Sequence, residues 1–293
     1  MPYLAKQLSP AELQINASNL LVFTDLDGTL LDHDSYSFEP AQPSLKQLKL
    51  LNIPVIFNTS KTLMEALELQ KKLGIEQPFV VENGSAICIP SHSPLQIDDL
   101  SPLNVGKQQW NIKIFGPSYP DICQYLSVLR QRCQFRFQGF NDMNAEEVQL
   151  HTGLNKYEAQ LAKQRMASEP VLWNDSPEQL ELFIKKLEAH NLAVIKGGRF
   201  LHIKARLDKA DAMRWLNQHY QQYYQHRFFN LALGDSENDR SMLEQADLAV
   251  IIPRKHAPAL YIDHPNCSLA PHPGPYGWHK MIQQVLHSFL TGA

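Results

Sequence analysis

Residues 20–29 read Leu-Leu-Val-Phe-Thr-Asp-Leu-Asp-Gly-Thr, an apolar run that ends in two aspartates. Such a run without polar alternation is typical of a strand buried on both faces, as in a parallel sheet covered by helices. Because side chains two positions apart in an extended chain point the same way, Asp25 and Asp27 are expected to reach one cavity beyond the strand. Open α/β sheets bind their ligands at this carboxyl edge.

A second acidic pair follows another apolar run near the C-terminus. Asp235 and Asp239 come after residues 231–234, which read Leu-Ala-Leu-Gly. Taken alone, either pair is equally explained by turns or helix caps. Together, four carboxylates at the ends of two buried strands would repel one another unless a cation lay among them, and carboxylate oxygens suit Mg²⁺. The pattern predicts a metal-assisted phosphate site with Asp25, Asp27, Asp235 and Asp239 as metal ligands.

The organisation of the chain is similar at its two ends and different in the middle. At both ends, short apolar runs such as residues 53–58 and 248–252 alternate with helical patterns, which indicates a parallel sheet covered on both faces. In the middle, strands alternate polar and apolar residues, as in a sheet with one wet face. We therefore predict an α/β fold with a doubly wound, Rossmann-like parallel-sheet core and an inserted α+β cap. The predicted limits are residues 1–84 and 204–293 for the core and 85–203 for the cap.

The composition argues against several classes of protein. The 293 residues are 44% hydrophobic, which is enough for a sizeable core, and the net charge of -3 gives no basic field for nucleic acid or an anionic membrane. The four cysteines form no C-x-x-C pair and are interpreted as thiols in a reducing cytosol. No apolar stretch reaches bilayer length, and the first twenty residues lack the apolar centre of a signal peptide. We expect a cytoplasmic enzyme that acts on a small molecule, of undetermined oligomeric state.

Two more side chains fit a phosphate site. Thr59 ends the apolar run of residues 55–58 and can donate a hydrogen bond to a phosphate oxygen, although Ser60 can do the same and a helix-capping role is an alternative. Lys209 follows the predicted N-cap Asp208, so its charge lies at the positive end of a helix, where the dipole disfavours it. A bound phosphate would offset that cost, whereas the simpler reading is a solvated surface lysine.

These segments resemble a known family. Residues 25–30, Thr59, Lys209 and residues 234–239 together resemble the four ordered motifs of the haloacid dehalogenase-like phosphatases, and the insertion resembles the cap of their Cof-type branch. Within that branch the chain is similar to the mannosyl-3-phosphoglycerate phosphatase family in residues 59–62, 82–84, 168–170, 197–200 and 274–278. It departs from that family's pattern at Ala210, where glycine is usual, and at His279, where asparagine is usual.

The resemblance implies a mechanism and residue roles. Asp25 would attack phosphorus to give an aspartyl-phosphate, with Mg²⁺ held by Asp25, Asp235 and the backbone carbonyl of Asp27. Asp27 would protonate the leaving oxygen and then activate water, which requires a proton on it at the start. Thr59 and Lys209 would stabilise the transferring phosphoryl group, while Asp239 orients the metal ligands.

The resemblance also places specificity in the cap. Arg199 and Arg165 are the predicted contacts of a substrate carboxylate, because guanidinium groups bind carboxylates bidentately. The other predicted substrate-binding residues are Ser60, Lys61, Glu82, Asn83, Ser168, Glu169, Lys196, Gly197, Gly198 and Asn238. For each charged cap residue a surface salt bridge is the alternative, and Gly197 with Gly198 can equally form a hairpin turn.

The expected activity is Mg²⁺-dependent hydrolysis of a glycosyl-3-phosphoglycerate, with the mannosyl compound favoured, to give a compatible solute such as mannosylglycerate. A broader sugar-phosphate phosphatase, including one for sucrose-phosphate-like substrates, is the nearest alternative. A phospho-accepting signalling domain is the alternative from another class, although it needs no large cap. A catalytically idle binding module is a third possibility.

Overall fold

A five-stranded parallel sheet forms the centre of the core, in a computed structural model that describes residues 15–95, 97–197, 199–255 and 257–291. The strands are β1 (Leu20–Thr24), β2 (Val55–Phe57), β3 (Phe79–Val81), β4 (Ala86–Pro90), β5 (Ser101–Val105), β6 (Gln108–Ile114), β7 (Phe137–Gly139), β8 (Ser168–Trp173), β9 (Leu192–Gly197), β10 (Phe200–Ala205), β11 (Phe229–Gly234), β12 (Leu248–Ile251) and β13 (Cys267–Leu269). The α-helices are α1 (Gln42–Leu50), α2 (Leu63–Leu73), α3 (Tyr119–Cys133), α4 (Ala145–Thr152), α5 (Lys156–Ala162), α6 (Pro177–Glu188), α7 (Lys209–Tyr224), α8 (Arg240–Gln245) and α9 (Gly274–Thr291). Single 3-10 turns occupy Glu39–Ala41, Glu82–Gly84 and Glu237–Asp239.

The strand order of the parallel sheet brings the two ends of the chain together. The order is β13-β12-β11-β1-β2, and Thr24 of β1 pairs with Leu233 of β11. Both strands are fully buried, because an apolar cluster covers each face of the sheet. The predicted α/β fold with a doubly wound parallel core is confirmed, and the two acidic pairs follow neighbouring strands.

A second sheet continues from the edge of the first. A parallel bridge between Asn58 and Val80 joins the end of β2 to β3, and an antiparallel sheet of order β3-β4-β6-β5 follows. The segment 86–114 therefore pairs with β3, whereas the antiparallel sheet of the cap lies between residues 137 and 205. The limits of the insertion at residues 85 and 203 stay a prediction.

The cap contains an antiparallel sheet of order β7-β8-β10-β9. Helices α3 and α6 pack on one face, where Phe183 belongs to the same apolar cluster as the strand residues Val171 and Ile203. The chain enters and leaves the cap through adjacent segments. Gly116 has φ 92° there, and a Cβ on it would lie 2.6 Å from the Cβ of Ala205. Only glycine fits this crossing without strain.

The start of α7 sets up the site. Asp208 is its N-cap, as predicted, and its Oδ1 accepts hydrogen bonds from Ala210 N and Asp211 N. Lys209 is thus the first helical residue, and its side chain is buried.

Among the described helices, none has both the length and the apolar content that a bilayer span needs.

Candidate active site

Asp25 lies in the turn that follows β1, at the carboxyl edge of the parallel sheet. Its backbone N–H continues the sheet by donating to Leu233 O (2.9 Å), and its carbonyl accepts from Thr24 Oγ1 (2.7 Å). The same threonine hydroxyl accepts from Trp278 Nε1 (3.0 Å), which α9 places in the core. The backbone of this turn is therefore held from two sides before any ligand arrives.

Three buried carboxylates and one lysine converge next to this turn. Asp25, Asp235 and Asp239 each offer an oxygen within 4.8 Å of the others. Lys209 Nζ donates to Asp25 Oδ1 (2.7 Å) and to Asp239 Oδ1 (2.6 Å). One ammonium group cannot neutralise three carboxylates, and Asp235 Oδ1 is buried without a hydrogen-bond partner. The site therefore has excess negative charge and a carboxylate oxygen without a hydrogen-bond partner, both of which suit the binding of a divalent cation.

The pKa values show the same imbalance of charge. Burial and the neighbouring charge of Asp239 raise the pKa of Asp25 well above its usual value. Burial and Asp239 also raise the pKa of Asp235, although Lys209 acts in the opposite direction. Burial alone would lower the pKa of Lys209, but Asp239 and Asp25 outweigh it and raise that pKa. Lys209 is thus a permanent cation that pairs with two of the three clustered carboxylates.

The loop after β11 presses Asp235 against the first aspartate turn. Asp239 Oδ2 accepts hydrogen bonds from Asp235 N (3.0 Å) and Ser236 N (3.1 Å), which fixes the loop. Gly28 has φ 79°, and a Cβ on it would lie 2.9 Å from Asp235 Oδ2. A side chain at position 28 would therefore displace the carboxylate.

Asp27 is less buried than the other three aspartates. Its side chain is 36% exposed, and its Oδ2 forms an ion pair with Lys61 Nζ (3.0 Å). Its Oδ1 is buried and has no hydrogen-bond partner. Asp27 is absent from the three-carboxylate cluster within the described residues, so its carboxylate faces the cleft rather than the predicted metal position.

The second predicted motif follows β2. Thr59 is fully buried, its backbone N–H donates to Val80 O (3.1 Å), and its Oγ1 accepts from Lys61 N (3.2 Å). Asn83 N donates to Thr59 O (2.9 Å), and the Asn83 side chain accepts from Asn238 Nδ2 (3.0 Å). The predicted residues Asn83 and Asn238 thus link the loop after β2 to the loop after β11. The choice between Thr59 and Ser60 for phosphate binding stays open.

Three predicted substrate-binding residues form one buried network. Glu82 accepts from Ser168 Oγ (2.7 Å), and Arg165 Nε lies 3.6 Å from Glu82 Oε2. Arg165 also donates to Ser168 O (3.0 Å) and to Ser60 O (3.2 Å). The side chains of Glu82 and Arg165 are almost completely buried. These groups are satisfied by one another across the boundary between cap and core.

Glu169 points into the interior of the cap. Its carboxylate accepts from Tyr119 Oη (2.9 Å) of α3 and from Asn141 N (2.8 Å). Burial raises its pKa to about 7, although both hydrogen bonds favour the charged form. Ser168 and Glu169 are consecutive in β8, so their side chains point to opposite faces of the sheet. The structure brings Ser168 to the core and takes Glu169 away from it.

The turn between β9 and β10 is divided in a similar way. Lys196 pairs with Leu201, and Gly197 pairs with Phe200, so Lys196 and Gly197 belong to opposite faces of the sheet. Arg199 is exposed, lines the cleft with Gly197, and donates to His151 O (2.6 Å). Gly198 lies outside the described residues. Within the described part of this turn, Arg199 is thus the charged residue that lines the cleft.

A cleft of about 330 Å³ lies between the aspartate turn and the cap. Sequence reasoning placed Asp27, Ser60, Lys61, Arg165, Gly197 and Arg199 in the site, and all of them line this cleft. It missed His33, Tyr36, Phe140, His151, Phe200 and His202, which also line it. Burial, with Arg165 and Lys204, lowers the pKa of His202 to about 3, so its ring is neutral. The position of His202 two residues after Phe200 in β10 was the available signal, because both then share one face.

The two departures from the family pattern lie in helices beside the site. Ala210 is buried at the start of α7. His279 Nδ1 shares a hydrogen bond with Ser44 Oγ (2.7 Å), which joins α9 to α1. Neither replaces one of the groups in the acidic cluster.

The fold and the site together define a capped α/β enzyme with an acidic centre suited to a divalent cation. The chain belongs to the haloacid dehalogenase-like hydrolase family, because the family's model matches residues 22–259. The expectation of family and of an enzyme is thus confirmed.

Relatives of known name cover almost the whole chain. A glucosyl-3-phosphoglycerate/mannosyl-3-phosphoglycerate phosphatase of Persephonella marina is 34% identical over 278 residues, which are 93% of this chain and 99% of that protein. A protein of the same name from Methanococcoides burtonii is 36% identical over 270 residues, covering 91% and 97%. The fold is also similar to the solved sucrose-phosphatase of Synechocystis sp. PCC6803, with a TM-score of 0.56, 17% identity and coverage of 91% and 98%.

Proposed function

We propose that this protein is a Mg²⁺-dependent phosphatase that hydrolyses a glycosyl-3-phosphoglycerate to the glycosylglycerate and inorganic phosphate. The observation that carries the proposal is the pairing of Lys209 with Asp25 and Asp239 at the sheet edge, in a chain whose full-length relatives bear that substrate in their names. We further propose that the reaction takes place in the cytoplasm on a small phosphorylated sugar acid, as the composition suggests.

The acidic cluster fits a magnesium ion. Asp25 and Asp235 would hold it with the backbone carbonyl of Asp27, because these are hard oxygen donors and Asp235 Oδ1 has no other partner. Both oxygens of Asp239 already accept hydrogen bonds, so its main role would be to orient Lys209 and the loop of Asp235. When bound, the ion would neutralise charge on the transferring phosphoryl oxygens and reduce repulsion between Asp25 and the substrate.

The chain's own residues supply the remaining chemistry. Asp25 attacks phosphorus, and the bond from phosphorus to the glycerate oxygen breaks, which leaves an aspartyl-phosphate. Asp27 gives a proton to the departing oxygen and then takes one from the water that hydrolyses the intermediate. Lys209 and Thr59, or Ser60 in its place, stabilise the charge on the phosphoryl oxygens.

Substrate recognition would come from the cleft. A phosphoglycerate carries a carboxylate, and Arg199 is the better placed of the two predicted arginines because Arg165 spends most of its donors on protein oxygens. Lys61 lies at the junction of Asp27 and the cleft, where it can approach either the phosphate or the carboxylate. The predicted contact Lys196 is exposed and does not line the cleft.

A substrate comparison tests the proposal. Purified protein with Mg²⁺ is assayed on mannosyl- and glucosyl-3-phosphoglycerate, sucrose phosphate and p-nitrophenyl phosphate. We expect kcat/KM for one or both glycosyl-phosphoglycerates to exceed the other two by at least about 100-fold, about 2.7 kcal/mol of differential binding at the transition state. Equal, slow turnover of all four would favour the broader sugar-phosphate phosphatase instead.

The signalling alternative is tested by Asp27→Asn. For a phosphatase we expect this variant to lose turnover while Mg²⁺ still binds, because Asp27 lies outside the three-carboxylate cluster and its Oδ2 pairs with Lys61. A phospho-accepting signalling domain would instead show a long-lived phosphorylated Asp25 in the unmodified protein.

A further inference from the structure

We propose that Glu82 is a positioning residue that ties the placement of the cap to the loop carrying Thr59, Ser60 and Lys61. This inference rests on the proposed function, and it replaces the direct substrate contact that the sequence suggested for Glu82. One short turn, Glu82–Gly84, contacts the cap, the loop after β2 and, through Asn83, the loop after β11.

The side chain of Glu82 holds a segment of the cap. Its carboxylate accepts hydrogen bonds from Met166 N (2.7 Å), Ala167 N (3.1 Å) and Ser168 Oγ (2.7 Å). The carboxylate is completely buried, and hydrogen bonds to a buried anion are stronger than those between neutral groups. With three donors in place, Glu82 has little capacity left for a ligand. The negative charge of Glu82 therefore stabilises the position of this cap segment.

The backbone of the same turn holds the loop after β2. Glu82 N donates to Lys61 O (3.0 Å), and Asn83 N donates to Thr59 O (2.9 Å). Both residues have left-handed backbones, with φ 53° and 57°. Gly84 follows with φ 89°, and a Cβ on it would lie 2.1 Å from Asp208 O. Strained backbone of this kind persists where the surroundings fix it, and it concentrates at functional sites.

Arg165 of the cap makes a second link between the cap and the loop after β2. Its Nη2 donates to Ser60 O (3.2 Å), while Nε and Nη2 also bind Ser168 and Nη1 binds Ala162 O. The guanidinium is buried 3.6 Å from Glu82, which balances its charge. If the cap moved away, Glu82 would lose all three donors and Arg165 would lose the Ser60 carbonyl. A substrate that fills the cleft favours the position in which both contacts exist.

Glu82→Gln tests this role, because the substitution keeps the shape and removes the charge. We expect kcat for the glycosyl-3-phosphoglycerate to fall about 10- to 100-fold with KM within about threefold, since misplacement of the cap groups that orient this substrate by about 1 Å costs about that much. For p-nitrophenyl phosphate, which makes no use of the cap, we expect kcat/KM within about threefold. The backbone hydrogen bonds to Lys61 and Thr59 remain in this variant.

A second readout does not depend on the substrate. In Glu82→Gln we expect the amides of Met166 and Ala167 to exchange hydrogen at least about tenfold faster, because they lose a charged acceptor. The matched control is Glu147→Gln. In the unmodified protein the Glu147 carboxylate accepts a hydrogen bond from Asn144 N (2.7 Å) within the cap, and we expect its replacement to change neither readout. If Glu82→Gln does not fold, Ser168→Ala removes one donor, and we expect the same pattern at about three- to tenfold.

The outcomes separate this inference from the proposed function. A raised KM with unchanged kcat would mean that Glu82 binds substrate directly. Equal losses on both substrates, or unchanged exchange at Met166 and Ala167, would also overturn the positioning role. Wild-type protein that hydrolyses neither glycosyl substrate contradicts the proposed function instead, and the exchange experiment then decides the role of Glu82 alone.

Discussion

Lys209→Met is the most informative single perturbation of the acidic cluster. Lys209 Nζ is buried and lies 2.7 Å from Asp25 and 2.6 Å from Asp239, so its removal takes away the ammonium group that pairs with two of the three clustered carboxylates. Breaking a buried ion pair by removing one partner costs about 3–5 kcal/mol. We expect the free energy of unfolding without Mg²⁺ to fall by that amount, and kcat to fall about 100- to 1,000-fold or more through loss of charge stabilisation.

The assay is urea denaturation with and without MgCl₂, together with kcat on p-nitrophenyl phosphate. Added Mg²⁺ should recover part of the lost stability in Lys209→Met, because it binds the folded cluster and not the unfolded chain. It should not restore kcat. A loss of stability below about 1 kcal/mol, with more than a tenth of kcat retained, would show that Lys209 does not balance the charge of this cluster.

Lys204→Met is the matched control, because Lys204 is the other fully buried lysine among the described residues. Its Nζ donates to the carbonyls of Ala205 and Leu207, and burial lowers its pKa to about 8. Its buried charge is a cost at neutral pH, because stability is lost as pH falls from the ordinary lysine pKa towards 8 and stays lost below it. We expect kcat within about threefold of wild type and a change in the free energy of unfolding of no more than about 1–2 kcal/mol, because the lost hydrogen bonds and the relieved cost of the buried charge act in opposite directions.

Two further substitutions give predictions with their own controls. Gly28→Ala should lower kcat by about 100-fold and weaken Mg²⁺ binding measured by calorimetry, because its Cβ would lie 2.9 Å from Asp235 Oδ2. Gly106→Ala, also at positive φ but with nothing within 4 Å of the added Cβ, should keep full activity; equal losses would point to backbone strain alone. Glu169→Gln should raise the free energy of unfolding by about 1–3 kcal/mol at pH 8 and by less at pH 5, as measured by urea denaturation. The reason is that the pKa of Glu169 is raised to about 7 in the folded protein. The folded protein is therefore destabilised as pH rises from the ordinary glutamate pKa towards 7, and glutamine, which does not ionise, avoids this cost. A gain that is the same at both pH values would contradict that assignment.

Much of the fold was predictable because the decisive strands carry their own signal. The apolar runs of β1 and β11 require burial on both faces, and parallel strands place their carboxyl ends at one edge. The convergence of Asp25, Asp235 and Lys209 follows from that geometry. The pairing of β1 with β11, about 200 residues apart, could be predicted once the core was expected to be divided by an inserted domain.

The directions of cap side chains were harder to predict. Ser168 and Glu169 were both assigned to the substrate, yet neighbours in a strand face opposite ways, and only the packing of α3 decides which faces inward. Glu82 and Arg165 are far apart in the chain and meet only in the folded protein, so they were predicted as two separate substrate contacts although they form a buried pair. Tyr36 reaches the same cleft from a loop of the core that is distant in sequence from the cap, and no local pattern marks such a surface.

The central claim is that Asp25 becomes phosphorylated beside a metal held by residues more than two hundred positions apart. The most direct measurement is rapid-quench labelling with ³²P-labelled mannosyl-3-phosphoglycerate, or its glucosyl equivalent, followed by peptide mapping. We expect an acid-stable, base-labile label on the peptide containing Asp25, and we expect no label without Mg²⁺ or in Asp25→Asn. Substrate turnover with no labelled protein at any quench time, or a label on another residue, would contradict it.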